Sequence, residues 1–261
     1  MISLKKISIH FGEGTAAFRI ALKNLSLNIE EGEFVTVIGS NGAGKSTLLN
    51  TIAGEFTPSS GQIFIDEEDV TKESTNLRAK HVARVFQDPV AGTCAHLTIA
   101  ENLALALCRG KNRSLKSAVN RSSRDYFQSV LQPLNLNLEN RLDTQMAMLS
   151  GGQRQAVSLL MATLSPLKIL LLDEHTAALD PKTSRFVMDI TEKIIKNKKL
   201  TALMVTHSLS SALKYGTRTI MLHEGKLIKD ISGEERALLT PQDLMQQFGS
   251  SLDSDRLLLD T

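Results

Sequence analysis

Residues Gly39 to Ser46 read GSNGAGKS, which fits the pattern G-x-x-x-x-G-K-[ST], and they stand between the apolar run FVTVIG and the helix-like KSTLLNTIAG. A strand that runs through a glycine-rich turn into a helix presents unpaired N–H groups, and these suit phosphate oxygens. Gly39, Ser40, Asn41, Gly42, Ala43 and Gly44 would form the cradle. Lys45 is expected to reach the β- and γ-phosphates, Ser46 to ligate Mg²⁺ and Thr47 to reach the α-phosphate. The alternative is a glycine-rich turn without a ligand. The fixed positions arise by chance in roughly one chain in a hundred of this length, and the flanking strand and helix make that rarer.

A second stretch, ILLLDE (169–174), is an apolar strand that ends in two acids. A strand buried on both faces delivers its C-terminal carboxylates to the sheet edge where ligands of open α/β folds sit. Asp173 would hold the metal through its water shell, and Glu174 would face the γ-phosphate and polarise a water. An acid pair that caps a helix is the plainer reading of the same residues. Gln87, ending ARVFQ, would touch metal and water, and His207, ending LTALMVTH, would reach the γ-phosphate. Taken singly, a glutamine or a histidine at a strand end is structural more often than not.

The rest of the chain orders these pieces. ISLKKISIHF and IALKNLSLNI alternate with a period of two around a loop at Gly12 to Gly14, so the chain opens on antiparallel strands. LKILLLDEH and LTALMVTHS are continuous apolar runs separated by the helical FVMDITEKIIKN, as in a parallel sheet covered on both faces. TIMLHEGKLIKDI closes as a hairpin turned at EGK, and the tail SSLDSDRLLLDT is expected to fray. From Asp88 to Ser165 the spacing is helical. The fold class is therefore α/β, a P-loop nucleotide-binding fold with a parallel core sheet, an antiparallel β subdomain and a helical subdomain. A single domain over 1–261 would comprise a core of 1–87 and 166–240, a helical part of 88–165 and a C-terminal extension of 241–261.

LSGGQ (149–153) is a second glycine turn before a helix. Ser150 suits an N-cap, which is the plain explanation. The Ser150 hydroxyl with the Gly151 and Gly152 amides is also an anion site, with Gln153 next to it. A second γ-phosphate site on a chain with one P-loop makes sense if it serves another molecule's nucleotide: two copies head to tail would each clamp ATP between the P-loop of one and LSGGQ of the other.

With GSNGAGKST, Gln87, LSGGQ, ILLLDE, AALD and His207 in this order, the chain resembles the nucleotide-binding subunit of an ATP-binding cassette (ABC) transporter from its first strands to about residue 230. The resemblance implies ATP hydrolysis with Mg²⁺, with Lys45, Gln87, Glu174 and His207 as the catalytic set. It makes Gln87 the link to membrane subunits, Ala178 to Asp180 a dimer contact and His207 the switch histidine. It puts Phe11 where an aromatic stacks on adenine, with Phe18 competing because GEGTA blurs the register. The family usually has proline after the catalytic Glu; His175 stands there instead. DEHTAALDP, FQDPVAGTCAHLTIAENLALA and SGEERALLTPQDLMQQF resemble a bacterial importer subgroup that works with a permease and a separate solute-binding protein, which implies uptake of amino acids of the tryptophan or tyrosine kind.

The resemblance thus implies a homodimer, peripheral on the cytoplasmic face of the bacterial inner membrane, under integral membrane permease subunits. Val90 to Leu107, apolar and next to Gln87, is the expected groove for them, with core packing as the alternative. The N-terminus has no apolar stretch of signal-peptide length after its lysines, and the apolar runs fall short of the ~18 residues of a membrane helix. Cys94 and Cys108 have no metal-ligand spacing. The rival is a soluble ABC-type ATPase acting on nucleic acid or in cofactor assembly. A net charge of +2 gives nucleic acid no general pull. The basic stretch Arg109 to Arg124 lacks aromatics and reads as a solvated face. A single cassette without zinc-type cysteines or a long coiled coil also counts against the rival, so no nucleic-acid partner is expected.

Overall fold

The fold was derived as a computed structural model, which describes residues 1–111 and 117–248. β1 (Ile2–Phe11) and β2 (Arg19–Ile29) pair antiparallel, with Ile2 opposite Ile29 and Leu4 opposite Leu27. β3 (Phe34–Gly39) belongs to another sheet, while β4 (Ser60–Ile65) lies along the free edge of β1 and carries the two-residue β5 (Glu68–Asp69). The period of two read from the sequence sends Ile2, Leu4, Leu25, Leu27 and Ile63 inward.

The second sheet runs in the order β10-β9-β3-β8-β7-β6, from β6 (Val82–Val85), β7 (Ile169–Asp173), β8 (Ala202–Val205), β9 (Arg218–His223) and β10 (Lys226–Ser232). All neighbours are parallel except β9 and β10, the hairpin expected at EGK. Its two turn residues, Glu224 (φ 46°) and Gly225 (φ 78°), both have the positive φ that a tight primed turn requires. Every residue of β3, β7 and β8 is buried, because this sheet is covered on both sides.

Alternation within those strands divides the core. Val35, Val37 and Leu171 face α1 (Lys45–Ala53) and the antiparallel sheet. Phe34, Leu170 and Leu172 face the opposite layer. That layer contains α3 (Ile99–Leu107), α4 (Arg121–Leu131), α5 (Gly151–Thr163) and α6 (Pro181–Lys198); the single turn α2 (Thr75–Arg78) precedes β6. Burial of each such leucine contributes about 1.5–3 kcal/mol, so the apolar runs are what hold the layers together. A third, smaller cluster joins α7 (Leu209–Lys214) to β9 and β10 and to Leu244 of α9 (Pro241–Phe248), with α8 (Gly233–Leu238) between.

Three sequence expectations change in detail. β6 stops at Val85, so Gln87 lies on the exposed segment beyond it rather than at the strand's end. In the stretch Val90 to Leu107 the core reading holds for Ile99, Ala100, Leu103 and Ala104, which are buried, while Val90 and Leu105 remain exposed. The basic stretch is not simply a solvated face: Arg109 donates to the carbonyls of Ala162 and Ser165 at the end of α5, and Arg124 pairs with Asp143. Residues 112–116 of that stretch, and the tail SSLDSDRLLLDT, lie outside the described residues.

Candidate functional site

A cleft of about 230 Å³ opens over the glycine loop. Its floor is Asn41 to Thr47, its far wall Glu174 and His207, and its near wall Arg19 to Ala21 of β2. The antiparallel sheet meets the loop at Gly44, whose φ of 102° suits glycine and where a Cβ would lie 2.7 Å from the Ala21 carbonyl oxygen. The β9–β10 turn supports the loop from beneath, Gly225 N donating to Ala43 O (3.0 Å) and Lys23 N to Gly225 O (2.8 Å). Neither buttress was visible in the motif itself.

Lys45 begins α1 and is buried. Its ammonium donates to Gly39 O (2.8 Å) and Ser40 O (3.0 Å), so it curls back over the loop. Burial lowers its pKa from the ordinary lysine value, while the carboxylates of Glu174 and Asp173 pull the other way. A phosphate arriving in the cleft would give this partly desolvated cation a full counter-charge.

Glu174 follows β7 with a left-handed backbone (φ 45°), its N–H donating to Val205 O of β8. Its Oε1 lies 2.6 Å from Nε2 of His207, which stands just past the end of β8. The two residues that the sequence placed at neighbouring strand ends therefore meet. A neutral histidine with its proton on Nε2 donates to Glu174 and keeps Nδ1 as an acceptor.

Asp173 does not border the cleft. Its Oδ2 accepts from Arg84 Nη2 at 2.5 Å. Arg84 comes from β6, the next strand, where it sits opposite Leu171. Its other terminal nitrogen donates to Asn50 of the P-loop helix and to Glu55 (3.0 Å), and its guanidinium carbon lies over the Phe86 ring, 4.7 Å from the centre. Arg84 was missed because only strand pairing brings it to Asp173. Gln87, next after Phe86, also lies outside the cleft's lining. Buried Gln155 of α5 donates to Phe86 O (3.2 Å), which ties this segment to the helix that LSGGQ begins.

The two aromatic candidates lie behind or beside the cleft. Phe11 meets Phe56 edge to face at 5.1 Å and carries the Arg19 guanidinium 5.2 Å above its ring centre. Phe18, half exposed, stands edge-on to His10.

Ser150, Gly151, Gly152 and Gln153 stand apart from the cleft's lining. Ser150 caps α5: its Oγ accepts from Gln153 N (3.3 Å), and Gln153 Oε1 accepts in return from Ser150 N (3.2 Å). This capping box confirms the plain reading yet leaves the hydroxyl proton free to donate. Gly152 has a reason of its own, since a Cβ there would come within 2.2 Å of Thr183 Cγ2 on α6. Thr183 N in turn donates to Asp180, the N-cap of α6 in the AALD stretch, so LSGGQ and AALD share one packed corner. Gly152→Ala is expected to lower stability by about 1–3 kcal/mol through overpacking. Chemical denaturation of the single and double variants checks this: adding Thr183→Ala should recover most of the loss, and additive losses would put the strain elsewhere.

His175, in place of the family's proline, is buried at 2% exposure. Thr191 Oγ1 donates to Val187 O (2.8 Å), so at His175 Nε2 (3.0 Å) it accepts, and that nitrogen carries a proton. Burial holds the His175 pKa down to about 4. Because the unfolded chain takes up a second ring proton near pH ~6.5, the stabilisation is complete above that pH and is lost as pH falls toward 4, by about 3 kcal/mol in all. Denaturation midpoints at pH 7 and pH 4 should therefore differ more for the native chain than for His175→Met; equal acid losses would rule His175 out as the cause.

Mg²⁺ prefers oxygen donors, keeps several waters and is held by one or two carboxylates with substrate phosphates. The donors fit that pattern: Ser46 stands in the cleft, Asp173 has one oxygen not taken by Arg84, and no cluster of three or more metal-type side chains exists among the described residues. Such a set would suit a metal delivered with phosphates rather than a caged one.

A family model described as ABC transporter matches residues 22–177. The chain is 47% identical over 248 residues to a tyrosine transport ATP-binding protein of Clostridioides difficile, covering 95% of this chain and 98% of that one. It is 35% identical over 239 residues to a thiamine import ATP-binding protein of Yersinia pseudotuberculosis, covering 92% of each. In structure it is similar to an ATP-binding cassette solved as a dimer in a post-hydrolysis state with ADP and Pi: TM-score 0.75, 31% identity, 89% of this chain and 98% of that one.

Proposed function

The chain belongs to the ABC transporter family, among its ATP-hydrolysing subunits, and on that premise we propose that it powers an importer by closing around ATP as a head-to-tail homodimer. One observation carries the dimer: the cleft has the P-loop, Glu174 and His207 on its walls, while the exposed Ser150 and Gly151 of the same chain border no part of it. A second copy facing the opposite way supplies the missing side.

In the closed site Lys45 turns from Gly39 O and Ser40 O to the β- and γ-phosphates. Ser46, Asp173 through the metal's water shell, and Gln87 would hold Mg²⁺, which would supply positive charge against the phosphates. His207 leaves Glu174 for the γ-phosphate, and the freed carboxylate accepts a proton from the attacking water. The new bond forms between that water's oxygen and the γ-phosphorus, the bond to the ADP oxygen breaks, and ADP and phosphate leave. The partner copy's Ser150 hydroxyl and helix N-terminus meet the γ-phosphate until then, so hydrolysis reopens the dimer.

No helix among the described residues is long and apolar enough to cross a membrane, so separate permease subunits supply the span. The chain would sit peripherally on the cytoplasmic face of the bacterial inner membrane, with the exposed Gln87, Val90 and Leu105 toward the permease and a solute-binding protein outside. The likeness to a tyrosine transport protein supports an aromatic amino acid as cargo. Proteoliposomes containing the chain with its membrane and solute-binding subunits should accumulate labelled tyrosine only when ATP is enclosed with the chain. Hydrolysis without accumulation of any amino acid would contradict amino-acid import.

A further inference from the structure

We infer that the base of the bound nucleotide packs on the guanidinium plane of Arg19, with Phe11 as the layer behind it, so that Arg19 rather than an aromatic ring is the base-contacting residue. This rests on the cleft being the ATP site. Arg19, Ile20 and Ala21 of β2 form one wall of the cleft, whose floor is the P-loop. Phe11 is opposite Arg19 in the strand pairing, and its ring lies beneath the guanidinium. A base entering from the cleft therefore meets Arg19 first. Phe56, edge-on against Phe11, fixes that ring in place.

The chemistry suits the position. A guanidinium is planar and weakly hydrated and stacks on π faces, so one Arg can lie between a phenyl ring and a purine. Arg19 is exposed and makes no side-chain hydrogen bond or ion pair among the described residues, and its nitrogens are free to point at base or ribose acceptors. Phe18 offers no rival surface, because it stands against His10 and does not line the cleft.

The test compares two ligands by calorimetry on the full chain with Mg²⁺: ATP and inorganic triphosphate, which lacks the base. Arg19→Lys keeps the charge and removes the plane. It should weaken ATP about tenfold while leaving triphosphate unchanged. Arg19→Ala should lose at least as much for ATP. Full ATP affinity in Arg19→Lys would reduce Arg19 to a charge and overturn the stacking assignment; full affinity in Arg19→Ala would remove Arg19 from the base altogether. Lys45→Ala separates the two levels, since it should weaken both ligands. Loss with Lys45→Ala but not with the Arg19 variants overturns the platform and leaves the phosphate site standing, whereas loss with neither overturns both.

Discussion

Glu174→Gln is expected to cut ATP hydrolysis by about 100-fold or more while ATP stays bound, the scale lost when a positioned general base is removed. The amide keeps the carboxylate's size and still accepts from His207 Nε2, now 2.6 Å from Oε1, so the cleft wall keeps its shape. What it cannot do is take the proton from water. A complex that binds ATP without consuming it should also persist in the closed form, and a dimer should appear on a sizing column with ATP and vanish with ADP. Hydrolysis within a fewfold of the native rate would take the base away from Glu174 and move it to another group on the wall, of which His207 is the nearest.

The second large effect falls on binding. Lys45 is buried with its ammonium held by two loop carbonyls, and its charge is only partly matched by Glu174 and Asp173. In Lys45→Ala the phosphates lose a charge-assisted contact, a loss of about 1.5–3 kcal/mol. ATP affinity should fall about 10- to 100-fold, read by calorimetry. The carbonyls of Gly39 and Ser40 lose a donor as well, so a modest fall in stability accompanies it. Unchanged affinity would mean that the phosphates sit elsewhere than over this loop.

What could be read from the chain depended on how local the physics was. The P-loop is a strand, a turn and a helix start within a short stretch, and its lysine and hydroxyl stand at fixed offsets, so the structure has only to fold it. The apolar runs of β3, β7 and β8 announced a doubly covered sheet because each is buried along its whole length. Asp173 was legible as a strand-end acid, but its arginine was not, since Arg84 reaches it from a different strand through parallel pairing. Gly152 looked like a phosphate glycine; only the packing of α5 on α6 reveals that Thr183 leaves no room for a side chain. His175 signalled a departure at the family's proline, while its burial against Thr191 depended on the path of α6. The family resemblance pointed to Phe11 for the base, and the cross-strand Arg19 covering that ring stayed hidden until the sheet was docked on the loop through Gly44 and Gly225.

The shared nucleotide is tested most directly by mixing two disabled chains, both carrying Glu174→Gln so that ATP is trapped: one with Lys45→Ala, the other with Ser150→Arg. Each alone spoils both sites of its own dimer. A mixed dimer combines both defects in one site and leaves the other whole. Sedimentation with ATP should therefore show a dimer in the mixture that neither chain forms alone, with one nucleotide per pair. If the mixture stays monomeric while the Ser150→Arg chain alone holds ATP as tightly as the Glu174→Gln parent, one chain encloses its own ATP and the head-to-tail arrangement is wrong.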